Sequence, residues 1–530
     1  MEPTQQAAGA GPTRCLDAFL IALNQADSSG WYLSTLQLQL ASLKVCELCR
    51  SVSTWKLTVK KRVHALACAD SAASDLESKK LCGTRVPSLR PLSLTWKLPL
   101  FRLNIFSSKA LANIKKLRFG RRFNKKINDV MWLSSLEELT LGQHFDQAIS
   151  DVAWSDSLQK LRFGNRFNQP INDVAWPELL QKLTFGYYFN QAINDVAWPA
   201  SLQQLRFGKC FNQSINDVAW PDSLQKLTFG NDFNQPINDV AWPASLQQLT
   251  LGHSFNQAIS DVAWPDLLQK LTFWNFFNQP INDVVWPASL QQLTFGLCFN
   301  QAINDVAWSD SLQKLTFGYA FNQPINDVAW PASLQQLTFG ERFNQPINDV
   351  AWSDSLQELT FGNEFNQPIN DVAWSDSLQK LTFGKCFNQA IDDVAWPDSL
   401  QKLTFGYDFN QAINGVVWPD SLQQLTFGND FNQAINGVVW PAFIQQLAFG
   451  PCFNQAIDEV LWPGSLQNIT IIRVRTVTVE GGRRRRFRGP YSHYRPIRCP
   501  PGFGVFSTPD GDILSFDRKH AHQQPHAASS

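Results

Sequence analysis

A tryptophan recurs every 22 residues from Trp132 to Trp462, sixteen in an unbroken series, and a phenylalanine keeps the same interval from Phe123 to Phe453. A period of this length marks an architecture of stacked turns, because one turn cannot bury its own apolar face and must be covered by its neighbours. Function then belongs on the surfaces of the stack and not in a cleft between domains.

The turn that opens at Leu224 shows the logic. Leu224, Leu227 and Phe229 alternate as a short strand does, with Thr228 turned to the opposite face. One strand per turn predicts a parallel sheet along one side. Gly230 ends the strand, as a glycine does in nearly every turn, Trp274 being the exception. Glycine there predicts a backbone angle that a side chain would resist. Pro236 and Pro243, with counterparts such as Pro170, Pro280 and Pro397, remove backbone donors, so the return side cannot be a regular sheet. Asn238-Asp239 suits the capping of a short helical or 3-10 turn. Phe233, Ile237, Val240 and Trp242 then fill the interior. Burying a side chain of this size gains roughly 1.5 to 3 kcal/mol, whereas ordering each residue costs about 1 to 2 kcal/mol. A lone turn would unfold, and a stack needs end strands, which we place at Leu89–Leu94 and Leu466–Ile471.

Leu-x-x-Leu-x-Phe followed by an asparagine resembles a leucine-rich repeat. The phrase Phe-Asn-Gln-Pro-Ile with a later Trp-Pro-x-Ser-Leu more narrowly resembles the FNIP repeat, over about 360 residues. The tryptophan before proline departs from the family, which more often has another apolar residue there. The expected fold is a β-rich, leucine-rich-repeat-like right-handed solenoid over residues 86–474. It has a parallel sheet on one side and irregular or 3-10 return segments on the other. Residues 1–85 are expected to form a small, mainly helical region, and residues 475–530 a basic, largely disordered tail. FNIP proteins often carry an F-box, a helical module that docks onto a ubiquitin ligase. Leu40, Leu43, Val45, Cys46 and Trp55 echo that pattern without its usual opening Leu-Pro. The resemblance implies a non-enzymatic protein-interaction scaffold; the alternatives are a ligase substrate receptor and a structural or adhesive rod.

The formal net charge of zero conceals an uneven spread. Residues 112–470 hold 20 Lys and Arg against 34 Asp and Glu, a difference of −14, so the flanks are basic. That balance argues against nucleic acid as the ligand of the array and leaves it open for the tail, where Arg483–Arg486 and Arg488 interleave with Phe487, Tyr491 and Tyr494. Ala18–Leu23 is too short for a secretory core or a membrane span, which leads us to expect an intracellular protein, cytoplasmic or nuclear, with no membrane partner. Cys210, Cys298, Cys386 and Cys452 share one position of the repeat, at least three turns apart. At roughly 4.8 Å per turn that is about 14 Å, beyond disulfide reach.

Several columns invite chemistry. The Asn column, including Asn168, Asn190 and Asn234, reads as buried amides that satisfy turning backbone. Phe167 and Phe233, with Trp176, Trp198 and Trp242, read as core ladders. Thirteen aspartates from Asp129 to Asp393 could collect calcium, but Gly415 and Gly437 break the column without disturbing the repeat. Cys46-x-x-Cys49 with Cys68 and Cys82 lacks the spacing of a zinc knuckle. No nucleophile elbow, phosphate-binding loop or His-Glu-x-x-His motif occurs, so no enzyme, cofactor or metal is expected. The two residues after the strand glycine differ freely between turns, as exposed rims do. Tyr187, Tyr188, Lys209, Phe276, Glu341, Arg342, Tyr407 and Asp408 are the candidate partner-binding residues.

Overall fold

The computed structural model describes residues 114–457 and 459–471 with their side chains. Beyond these it describes the backbone of Ile472 and of six strands, Trp55–Val59, Leu92–Trp96, Val477–Glu480, Arg483–Arg486, Gly504–Ser507 and Ile513–Asp517. Within the expected helical region 1–85 only Trp55–Val59 is described, and it is a strand, because it pairs along its length with Leu92–Trp96. Trp55 of the F-box echo therefore stands in a strand, while Leu40, Leu43, Val45 and the cysteines 46, 49, 68 and 82 lie outside the described residues, among which there is no α-helix. The chain divides into two compact units, one holding residues 1–213 and 217–224 and the other 214–216 and 225–530.

In the first unit the strands Ile114–Phe119, Glu138–Thr140, Lys160–Arg162, Lys182–Thr184 and Gln204–Arg206 pair in parallel, with Leu117, Leu139, Leu161, Leu183 and Leu205 in register. In the second, parallel strands recur at the same interval from Lys226–Thr228 to Asn468–Ile472. Each unit is therefore a parallel β-solenoid in which every residue stands beside its counterpart 22 positions on.

The two expected end strands are present, but neither is the last. Leu92–Trp96 pairs with Ile114–Phe119 and also with Trp55–Val59, both in parallel. Asn468–Ile472 pairs antiparallel with Ile513–Asp517, which in turn pairs with Gly504–Ser507. These additions cover ladder edges that would otherwise present free backbone donors and acceptors. Val477–Glu480 and Arg483–Arg486, within the segment read as tail, form an antiparallel pair.

The interior is a set of side-chain files. Leu224, Leu227, Phe233 and Ile237 are fully buried, and Val240 nearly so. Phe339 lies 4.0 Å from Phe343 in its own turn and 5.7 Å from Phe361 in the next, so phenylalanines stack in two adjoining columns. The indoles point inward, and nine of the fifteen successive pairs overlie one another at 5.6 to 6.5 Å between centroids, for example Trp352 on Trp374. Fifteen of these indole N–H groups are buried without an acceptor, while Trp462 donates to the Ile457 carbonyl at 3.2 Å. The column is held by packing of large apolar area and not by indole hydrogen bonds.

Three details differ from the sequence reading. First, among the described glycines only Gly437 has a positive φ. The strand-ending glycines are required by close approach: a Cβ on Gly362 would stand 1.7 Å from the Gly340 carbonyl oxygen, and one on Gly208 1.6 Å from that of Gly186. Second, Asn238-Asp239 sits at the corner of a single turn closed by the Val240 N–H donating to the Ile237 carbonyl, not at a helical cap. The return side is a chain of such turns. Third, the asparagines are half-buried or exposed instead of buried. Asn344 Oδ1 accepts from the Asn366 backbone N–H at 2.9 Å and from Gln367 Nε2 at 3.0 Å, so each amide secures the next turn from its flank.

The contact distances predict the effect of single methyl groups. Gly362→Ala should destabilise by about 1 to 3 kcal/mol through overpacking. Gly464→Ala, whose added Cβ meets nothing within 4 Å, should leave the urea midpoint nearly unchanged. Equal midpoints for the two variants would contradict the close-approach account.

Candidate functional site

A rim runs along each unit at the end of the strands, built by the two residues that follow the strand glycine. Its backbone is fixed: the N–H of the second rim residue donates to the carbonyl of the first in the preceding turn, as Tyr188 does to Asn165 and Arg342 to Tyr319. With the main chain held this way, side chains at these positions are free to vary and project outward.

In the first unit the rim brings Tyr187, Tyr188 and Lys209 together. The two rings meet edge to face at 4.7 Å, and the Lys209 ammonium lies over the Tyr187 ring at 5.3 Å. Both tyrosines are exposed, Tyr188 by 53%.

In the second unit the candidates fall into three groups. Phe276 is 54% exposed and stands beside His253, whose ring also stacks on Trp274 at 5.6 Å. Arg342 lies over Tyr319 at 5.2 Å, and Glu341 accepts a hydrogen bond from the Asn363 side-chain amide. Tyr407 carries Lys385 over its ring at 5.8 Å and borders a shallow open depression with Asn363, Lys385 and Thr404, while Asp408 hydrogen-bonds the Cys386 thiol. His253 and Leu297, at the variable positions after the strand glycine, belong to this surface, as do Trp274, Tyr319 and Lys385, which the candidate set omits. Trp274, the one break in the glycine column, was the available signal. The pairs themselves became visible only when the turns were in register.

The thiols of Cys210, Cys298, Cys386 and Cys452 form no disulfide among the described residues and are partly exposed at the second rim position of their turns. Burial and then the charge of Asp430, whose carboxylate lies 3.8 Å away, push the Cys452 thiol above its ordinary range. The aspartates of the return turns, such as Asp239, Asp261 and Asp327, are exposed. Among the described residues no three His, Cys, Asp or Glu side chains converge in a way that could hold a metal ion, and no helix is long and apolar enough to cross a membrane.

On the sheet face of the first unit, Lys116 and Lys160 both grip Glu138, at 3.0 and 2.7 Å, and Lys115 pairs with Glu137. Burial alone would raise the Glu138 carboxyl, but hydrogen bonds and charge from Lys160 and Lys116 outweigh it and hold the group below its usual range.

The repeat pattern described as FNIP Repeat matches residues 167–210, 211–254, 299–342, 343–386 and 387–430. Among solved structures, the chain is similar to CroV588, a circular LRR protein, at 30% identity over 71% of this chain and 77% of that one, with a TM-score of 0.32. It is also similar to the internalin InlF from Listeria monocytogenes str. 4b F2365, at 17% identity over 53% of this chain and 82% of that one, with a TM-score of 0.39. No curated protein matches it.

A carboxyl whose folded pKa is depressed stabilises above its unfolded pKa and loses that contribution as pH falls through the folded value. Glu138→Gln should therefore lower the thermal midpoint near pH 7, and the gap to the parent should narrow progressively as pH falls below the ordinary carboxylate value of about 4 and through the depressed folded one. A gap that persists in acid would show that the ion-paired cluster contributes through packing alone.

Proposed function

We propose that this chain, which belongs to the FNIP-repeat family, is a non-enzymatic protein-interaction scaffold whose partner contacts the sheet face and the variable rim. The reading rests on one observation above the others. Aromatic side chains that a monomeric surface has no need of stand exposed on an otherwise uniform frame, Tyr187 by 38%, Tyr188 by 53%, Phe276 by 54% and Tyr407 by 50%.

Exposed aromatics of this kind supply most of the energy of protein contacts when they enter a partner's pocket. The neighbouring Lys209, Arg342 and Lys385 hold rings in place through cation–π contact, so less side-chain entropy is lost on docking. The frame suits the role because backbone ladders fix the rim while its side chains change from turn to turn. The residues expected to bind the partner are Tyr187, Tyr188, Lys209, Phe276, Glu341, Arg342, Tyr407 and Asp408.

Affinity capture from native cells with the parent chain, and with Tyr187, Tyr188, Phe276 and Tyr407 all changed to Ala, tests the assignment. The variant should retain the parent's circular dichroism and lose the partner by about tenfold or more. Undiminished recovery would remove these residues from the interface.

A further inference from the structure

The two units differ in charge in a way that the whole-chain balance hides. Residues 114–213 and 217–224 of the first unit carry 13 Lys and Arg against 11 Asp and Glu, whereas residues 225–471 of the second carry 7 against 23. The difference is concentrated on one face. The strand position that holds Thr in every turn from Thr228 to Thr426 holds Arg118, Arg162 and Arg206 in the first unit, all exposed. Arg121, Arg122 and Arg166 stand exposed on the adjoining rim.

Which of these cations are available follows from their partners. Lys115, Lys116 and Lys160 are engaged with Glu137 and Glu138. The six arginines hold no ion pair among the described residues. Asp151, Asp173 and Asp195 sit on the return turns, and among the described residues no carboxylate is paired with these arginines. His144 records the resulting potential: its proton affinity is lowered by desolvation and then by the charges of Arg166, Arg121 and Arg122.

We propose that this arginine-bearing face of the first unit binds an acidic polypeptide segment. The inference rests on the scaffold reading and names the chemistry of a partner for that surface. Guanidinium groups present a planar fork that takes a carboxylate through two hydrogen bonds, which lysine cannot do. Arg118, Arg162 and Arg206 recur every second turn, roughly 10 Å apart at about 4.8 Å per strand, and three residues of an extended chain span about the same distance. A segment lying across the strands in the polyproline-II conformation, where every third side chain returns to the same side after about 9 Å, can therefore set an acidic side chain against each arginine.

Two features favour polypeptide over nucleic acid. The face extends only about 19 Å from Arg118 to Arg206, four strand spacings. The aromatic ring beside it, Tyr187, is exposed but already carries the Lys209 ammonium over its face and meets Tyr188 edge to face, so a base would have to displace that ammonium to stack there.

The repeat itself supplies the test substitution, because Thr occupies the same column at 140 and 184 between the arginines. Full-length parent and the triple variant R118T/R162T/R206T are titrated against a fluorescein-labelled poly-glutamate peptide by anisotropy. The parent should bind, more weakly as salt rises, and the variant should bind about tenfold or more weakly with unchanged circular dichroism. Equal binding by parent and variant would overturn the proposal. So would tighter binding of a poly-deoxythymidine of equal charge. Salt-sensitive self-association abolished by the same variant would overturn it too, because the occupant would then be the acidic turns of a second copy. The scaffold reading falls only if the fourfold aromatic variant keeps its partner, so the two failures are separable.

Discussion

Each layer of this molecule is completed by the layer after it. An Asn344 amide on one turn accepts the backbone N–H of Asn366 and the side-chain amide of Gln367 on the next, while Phe343 stacks on Phe365 at 6.0 Å and Trp352 on Trp374 at 6.5 Å. The serine hydroxyls act alongside, Ser399 donating to the Leu378 carbonyl at 2.8 Å. None of these contacts exists within an isolated turn. Stability in such a stack is a sum of nearest-neighbour terms, and the constancy of the core columns follows from that. A residue that fits its neighbour badly is felt on both sides.

The same coupling explains which positions are free to change. Inward columns meet a copy of themselves and must keep their shape, and the strand-ending glycines must keep their lack of one, since the carbonyl of the previous turn occupies the space of a Cβ. The rim residues are tied only through their backbone. Variation therefore gathers where a partner could read it, and charge can be redistributed there without cost to the core. Arg in place of Thr at 118, 162 and 206 alters the face of the first unit while its buried leucines stay in register.

Much of this was legible in the residues. The inward tryptophans, the parallel strand at Leu-x-x-Leu-Thr-Phe and the irregular return side follow from period and proline placement. The Gln and Ser columns were not read as structural, because a polar residue that is always present looks the same whether it ladders or faces water. Glycine was assigned to backbone angle because sequence carries no measure of how closely two turns approach. Rim diversity marked Tyr187, Lys209, Phe276 and Tyr407, but that Lys209 covers Tyr187, that His253 stands beside Phe276 and that Lys385 covers Tyr407, each from one turn away, emerges only in three dimensions. The acidic total of the array concealed the arginine face, since an average over sixteen turns erases a difference between the first few and the rest.

If every contact joins a residue to its counterpart 22 positions on, the chain should tolerate loss of a whole turn and fail on loss of half of one. Deletion of residues 321–342 and deletion of residues 321–331 can be compared by tryptophan emission and urea unfolding. The full-turn deletion should keep buried-indole emission and a cooperative transition. The half-turn deletion should shift emission to the red and broaden or abolish the transition. Equal tolerance of both deletions would contradict the stacking on which this account rests.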